Sequence, residues 1–407
     1  MSDRDNRIGR RKILKIGGVA TAIGLAGCSG GGGDDGDSSG DDGSSSDDGG
    51  TTSSDDGGSS SGGSLEERAR EEGQLSLLMS IDGPDVEDTV LPRFYEDYPW
   101  AEGQVEFVSS GTPSQRLATE YQSGSVSFDY AQVAGSEAVA LLRQADDLFM
   151  PINEENAPEV VEAGQSMDYA ESLLTGGQIG NRLYPAYGLP IALLYNTDIA
   201  PEGQGDPMAG PLDSYADMAN DEWSINNKGI TMERPSTLTS AASLFATMYP
   251  ILGEEDWTET MEGIADNNPL LTNSGSRAYL NMAQGEAALT PNLINDYVSA
   301  VNEGEEGPVD IQWLEPYLIS LNHGGIPNGA PNPNMAQLFL RWVTSEAGQT
   351  AIGVTGRPPA STSVASGLEI YEGIIPGDIS LQPVAYNNGD YFENPNEWGD
   401  RFEELGL

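Results

Sequence analysis

From Ser29 to Ser64 every residue is Gly, Ser, Asp or Thr. Such a tract has no apolar side chains to bury, so nothing offsets the entropy lost on ordering it. It predicts a disordered acidic linker over residues 29–64, extended by repulsion among its carboxylates. The tract therefore divides the 407-residue chain into a short leading segment and a globular part. The globular part, from Leu65 onward, is long enough for two domains and a sizeable core. Two G-x-S-x-G matches, Gly36 to Gly40 and Gly58 to Gly62, resemble the nucleophile elbow of hydrolases. Both fall inside the tract, with no strand before or helix after, and carry no chemistry.

The leading segment reads as an address. Arg10-Arg11-Lys12-Ile13-Leu14-Lys15 matches a twin-arginine export motif, and the apolar stretch Ile16 to Ala26 is too short to span a bilayer comfortably. Leu25-Ala26-Gly27-Cys28 then matches a lipobox. Residues 1–28 are thus expected to be a twin-arginine lipoprotein signal ending at Cys28, which carries lipid after cleavage. The protein would be folded before export and held on the extracellular face of the cell membrane. Cys28 is the only cysteine, which excludes a disulfide framework and a cysteine-built metal site.

The chain carries 18 Lys+Arg against 65 Asp+Glu, a formal net charge of −47. Nucleic acid as a partner is excluded, because phosphates call for clustered cations. So dense an acidity, with Lys12, Lys15 and Lys228 as the only lysines, resembles that of halophilic proteins. Cleavage before Cys28 would remove six basic and two acidic residues, leaving a net charge of −51. One histidine, His323, rules out multi-histidine zinc sites.

Past Leu65 the pattern alternates. Leu75–Ile81, Val105–Val108 and Asp129–Val133 read as strands, followed by helical patterns to about Tyr98, to about Gln122 and through Arg143. Thr112-Pro113-Ser114-Gln115 supplies an N-cap, a proline at the first helical position and a capping-box Gln. This alternation predicts α/β architecture with a parallel sheet, whose ligands bind outside the carboxyl ends of the strands. Tyr187–Tyr195 is a long apolar strand without an obvious partner of similar length. Further helices are predicted over Ser236–Tyr249, Trp257–Ala265, Ser276–Gln284, Leu293–Asn302 and Met335–Ser345, with short strands at Ala287–Thr290 and Ile311–Leu314.

Several stretches together resemble the family 1 extracellular solute-binding proteins of ABC importers, especially the branch that binds ferric iron, polyamines and thiamine. They are Tyr187-Gly188-Leu189-Pro190-Ile191-Ala192-Leu193-Leu194-Tyr195-Asn196, Pro235-Ser236-Thr237 and Gln284-Gly285-Glu286-Ala287. Most specific is the order Gly329-Ala330-Pro331-Asn332-Pro333, Phe339-Leu340-Arg341-Trp342 and Ser345-Glu346-Ala347-Gly348-Gln349. The resemblance covers roughly Leu75 to Ala360. It implies a two-lobed, type 2 periplasmic-binding-protein-like fold with two crossover hinge strands and a ligand cleft between the lobes. Residues 74–190 plus 317–407 would form lobe 1, and residues 191–316 lobe 2.

A closing receptor needs polar groups from both lobes. On the lobe 1 side the candidates are Ser80, Asp82, Ser109, Ser110, Thr112 and Ser136, hydroxyls and a carboxylate at strand ends and helix starts. On the lobe 2 side they are Tyr195, Asn196, Ser236, Thr237, Ser240, Asn292, Asn295, Asp296 and Tyr297. The ferric-binding relatives carry a tandem Tyr-Tyr where this chain has Asp296-Tyr297, so these two are metal ligands only if the cargo is a ferric species. The expected protein has no cofactor, works as a monomer, and hands a small-molecule or metal-ion ligand to an ABC permease. The rival reading is a lipid-anchored extracellular hydrolase, for which His323-Gly324-Gly325 resembles the oxyanion-hole motif of esterases. A purely structural surface lipoprotein is a third.

Overall fold

A computed structural model describes residues 63–407 except 80, 82, 110–112, 166, 168–180, 201–210, 222, 224–228, 238–239 and 386–387. The twin-arginine segment, Cys28, the acidic tract, Ser80, Asp82, Ser110 and Thr112 lie outside the described residues. None of the described helices is long and apolar enough to cross a membrane.

Helix α1 (Leu65–Glu72) opens on a capping box between Ser64 and Glu67 and ends at Gly73 in the left-handed region. Strand β1 (Leu75–Met79) leads into one helical segment made of α2 (Gly83–Asp85), a π-helical stretch Val86–Val90, and α3 (Leu91–Asp97). Then come β2 (Val105–Ser109), α4 (Pro113–Ser123), β3 (Tyr130–Ala134) and α5 (Gly135–Gln144), close to the predicted bounds. Strands β2, β1 and β3 lie side by side and parallel, with Met79 opposite Ser109 and Leu78 opposite Ala131. Their carboxyl ends consequently share one edge. Asp129 anchors this arrangement. Its fully buried carboxylate accepts from the N–H of Ser76 at 2.8 Å and from that of Asn332 at 2.6 Å.

After α6 (Pro158–Gln165) runs the 13-residue β4 (Tyr184–Asn196). The chain continues through β5 (Thr231–Glu233), α7 (Ser240–Leu252), α8 (Glu254–Asp266), β6 (Leu270–Thr272), α9 (Gly275–Ala283) and β7 (Leu289–Leu293). It then forms α10 (Asn295–Glu303), β8 (Val309–Gln312), β9 (Leu318–Gly325), α11 (Pro333–Val343) and α12 (Glu346–Gly353). No single strand matches β4 because three shorter ones share it. β9 pairs antiparallel along Tyr184–Ile191, β7 along Ile191–Tyr195 and β8 along Leu193–Asn196. The sheet order is β2-β1-β3-β9-β4-β7.

α7, β7 and α10 begin later than the sequence predicts. Pro235–Thr237 forms a 3-10 turn, closed by the Thr237 hydroxyl donating to the Arg234 carbonyl at 2.8 Å, and α7 starts at Ser240. β7 runs through Pro291, which a strand at the end of the sheet path tolerates because a missing N–H there breaks no inner ladder.

Apolar residues cover both faces of the sheet. One core joins Leu78, Val133, Leu193 and Trp223 to α7, α8 and the chain end. A second packs α1, α3, α11 and α12 around Phe94, Tyr130 and Phe339. A third sets α9 and α10 on Ala192 and Leu194. The chain end falls differently from the predicted division, which grouped all of 317–407 with 74–190. Trp398 stacks edge-on against Tyr249 and Trp257, and Asn388 donates to the Ala246 carbonyl at 2.8 Å. Arg143 on α5 meanwhile pairs with Glu393 at 3.4 Å, so this segment touches both sides.

Candidate ligand cleft

The pairing registers fix where the loops face one another. β3 runs toward the crossing and ends at Ala134, opposite Asn322 of β9, which is itself opposite Tyr187 of β4. β7 runs the other way along β4 and ends at Leu293, opposite Ile191. The helix starts at Gly135 and Asn295 are thus separated by the four-residue step from Tyr187 to Ile191. At 3.3 Å per residue this step spans about 13 Å. Residues 187–191 of β4 and 318–322 of β9 floor the gap.

The first side of the gap is formed by the ends of β1, β2 and β3. Ser109 is the last residue of β2, and Ser136 lies in the first turn of α5. The side chains of Ser109 and Ser136 lie outside the described set, with Ser80, Asp82, Ser110 and Thr112. Gly135 approaches the Leu321 carbonyl so closely that a Cβ there would sit 3.2 Å from it, which presses the start of α5 onto the crossing strand. Arg357 pairs with Asp85 at 2.6 Å and ties the end of α2 to residues that follow α12.

The second side is formed by the ends of β5, β6 and β7. β5 is parallel to β6, and the Ile230–Leu289 bridge makes it parallel to β7, so the three carboxyl ends share an edge. Ser236 and Thr237 lie at this edge in the 3-10 turn, and the Ser240 hydroxyl bonds the Glu233 carboxylate. Asn292, 2% exposed, donates to the Gly275 carbonyl at 2.7 Å and accepts from the N–H of Leu293 at 2.9 Å. It shapes the edge from below. Asn295 and Asp296 open α10, joined by a 3.4 Å amide-to-carboxylate contact.

Three predicted residues are positioned elsewhere. Tyr195 and Asn196 end β4 four and five residues beyond Ile191, away from the gap. The Tyr195 hydroxyl donates to Asp310 Oδ2 at 3.2 Å. The Asn196 amide donates to the Met282 carbonyl at 3.0 Å and accepts from the N–H of Asp198 at 3.0 Å. Tyr297 is 7% exposed and belongs to the third core. Burial, then the charges of Asp310 and Glu306, push its phenol up to about 12. Asp296 and Tyr297 therefore do not present a carboxylate and a phenolate side by side. Among the described residues no group of three or more His, Cys, Asp or Glu is arranged to hold a metal.

Two arginines went unremarked in the sequence. Arg234 follows β5 directly and Arg277 stands exposed in the first turn of α9, both on the second edge. The scarcity of cations was the usable clue: only 12 basic residues follow Cys28.

His323 lies on β9 behind Gly135 and is 1% exposed, and neither ring nitrogen has a hydrogen-bond partner. Burial lowers its pKa to about 3. The glycines after it serve packing. A Cβ on Gly324 would sit 1.9 Å from the Tyr130 hydroxyl.

Parallel strands ending at two facing edges, with two strands crossing between them, define a two-lobed receptor that holds a solute in its cleft. The chain belongs to the bacterial extracellular solute-binding protein family, whose model matches residues 99–372. Apo FutA2 from Synechocystis PCC6803 superposes with a TM-score of 0.61 at 17% identity, covering 82% of this chain and 99% of that one. Iron-bound HitA from Pseudomonas aeruginosa gives 0.61 at 16% identity with the same coverages. AfuA from Actinobacillus pleuropneumoniae, with fructose-6-phosphate bound, also gives 0.61 at 16%, over 82% and 99%. No curated protein matches the chain by sequence.

Proposed function

We propose that this receptor captures a small organic solute bearing an anionic group and delivers it to its permease without chemical change. The observation that carries the reading is the edge formed by β5, β6 and β7. It combines Arg234 and Arg277 with the backbone N–H groups at the starts of α9 and α10. Helix N-termini and guanidinium groups both favour carboxylate or phosphate. On the facing edge, Ser109, Ser110, Thr112 and Ser136 would supply hydroxyls, with Ser80 and Asp82 for the solute's polar body. Ser236, Thr237, Ser240 and Asn295 would complete the second edge. The bound phosphosugar in the AfuA structure is in keeping with this class.

A ferric cargo held by Asp296 and Tyr297 is the weaker reading, because Tyr297 would have to leave the third core and ionise. The residues from Cys28 onward would be lipid-anchored on the cell exterior after twin-arginine export, acting as a monomer on a linker formed by residues 29–64. The separation into residues 74–190 plus 317–407 and 191–316 would hold except for the chain end, which would bridge the two.

A thermal-shift screen in high salt, with sugar phosphates, carboxylates, polyamines, thiamine and ferric citrate, tests the solute class. A member of the first two groups at 100 times its Kd is expected to add about 2.7 kcal/mol of stability. Stabilisation by polyamine, thiamine or ferric citrate alone would contradict the reading.

A further inference from the structure

Residues 358–381 form a strap across the two crossing strands. It starts on the first side. There the Pro358 carbonyl accepts from the N–H of Gly188 on β4 at 2.9 Å, and the Ser361 N–H donates to Gln349 of α12 at 3.1 Å. Its middle is tied to the second side, where Asn302 of α10 donates to the Ile370 carbonyl and the Trp313 indole to the Ile374 carbonyl, both at 3.0 Å. It then returns to the crossing, where Gln382 and Pro383 pair with Leu318 and Ile319 of β9. The strap encloses a cavity of about 650 Å³, which among the described residues meets the crossing strands only at Ile319 and includes no candidate from either cleft edge. Ile319, Leu368, Ile379 and Leu381 give it apolar walls, which Pro358, Pro359 and Pro376 stiffen. Glu369 and Glu372 line it as well. Both are exposed, and among the described residues neither is in an ion pair.

A largely apolar hollow of this size with a few polar groups has the make-up of a small-molecule site. Its charge is opposite to that of the second cleft edge, which carries guanidinium groups where the hollow carries two carboxylates. We propose that this hollow is a second binding site, separate from the cargo cleft, for a small apolar amine. The apolar body would lie against Ile319, Leu368 and Leu381, and the ammonium group would meet Glu369 and Glu372. Beside apolar walls such a pair attracts more strongly than in bulk water. An anion of the kind proposed for the cleft is repelled here. Because the strap is fastened to both sides, an occupant braces it against β9 and stiffens the crossing that closure must bend.

The test is a titration of the full-length chain with dansylcadaverine, an apolar aromatic body ending in a primary amine, read by dansyl emission. Dansyl-6-aminohexanoate, a similar body ending in a carboxylate, is the control. Saturable emission shifted to shorter wavelength is expected, with the amine binding at least about tenfold tighter than the carboxylate. Glu369→Gln together with Glu372→Gln alters only exposed side chains and should cut that preference to about twofold or less. Ala365→Trp, on the wall of the hollow, should fill it and abolish saturable emission while the chain still unfolds cooperatively. Saturation with the amine should slow backbone hydrogen exchange across residues 358–381. The proposal is overturned if emission does not saturate, if the two probes bind alike, or if the double glutamine variant keeps the preference. It is equally overturned if folded Ala365→Trp binds as the unaltered chain does, or if exchange across the strap is unchanged.

Discussion

His323 and Asp129 show two fates of a buried polar side chain in this protein. Asp129 meets the N–H groups of Ser76 and Asn332 and so ties β1 to the loop before α11. His323 meets no partner, so burial alone sets its behaviour. Its folded pKa of about 3 lies below the unfolded value near 6.5, so the unfolded chain takes up the proton first. The stability linked to this group is fully present above pH 6.5 and is lost as pH falls toward 3. Between pH 6.5 and 5 the loss should reach about 1.5 kcal/mol, following the one-unit equivalence of 1.36 kcal/mol with the unfolded histidine half protonated at pH 6.5. As the chain has one histidine, urea titrations across that window should show the slope in the unaltered protein and none in His323→Met. An unchanged slope would assign it to carboxylates.

At the scale of elements, the sequence exposes regular alternation and conceals sharing. The β1-to-α5 run is legible because each strand ends in a turn or cap signal and each helix begins with one. The hydroxyl-rich stretch from Ser236 marks the approach to α7 for the same reason, although the helix itself begins only at Ser240. What stayed hidden depends on distant partners. β4 looks unpaired because β9, β7 and β8 divide it among them, and the Tyr195–Asp310 contact is visible only once β8 is laid beside β4. The pattern of apolar residues around Trp398 and Phe402 marks a helix but does not say that α7 and α8 receive it. The crossing itself is closely fitted. A Cβ on Gly188 would sit 2.2 Å from Ile319 Cδ1. Gly188→Ala should therefore destabilise by about 1–3 kcal/mol in urea unfolding, as overpacked cores do. Ile319→Val in the same chain should recover part of the loss. If it recovers none, the strain lies in the backbone rather than in this contact.

For the molecule as a whole, the net charge of −47 averages a basic leader, an acidic tract and an acidic globular part. Against that background, two arginines on one edge of the cleft stand out more than any acid does. An anionic solute must still approach through a negative field, and molar salt shortens the reach of that field to about 3 Å or less. The mechanism needs no chemistry. Solute that touches both edges only in the closed form shifts the population toward closure. The lone cysteine makes this directly measurable. With Cys28→Ser, spin labels on Glu96→Cys and Glu259→Cys report the distance between α3 and α8, one on each side of the crossing strands. Adding the solute that raises Tm should shorten the mean distance and narrow its distribution. A solute that binds while the distance stays unchanged would contradict capture by closure.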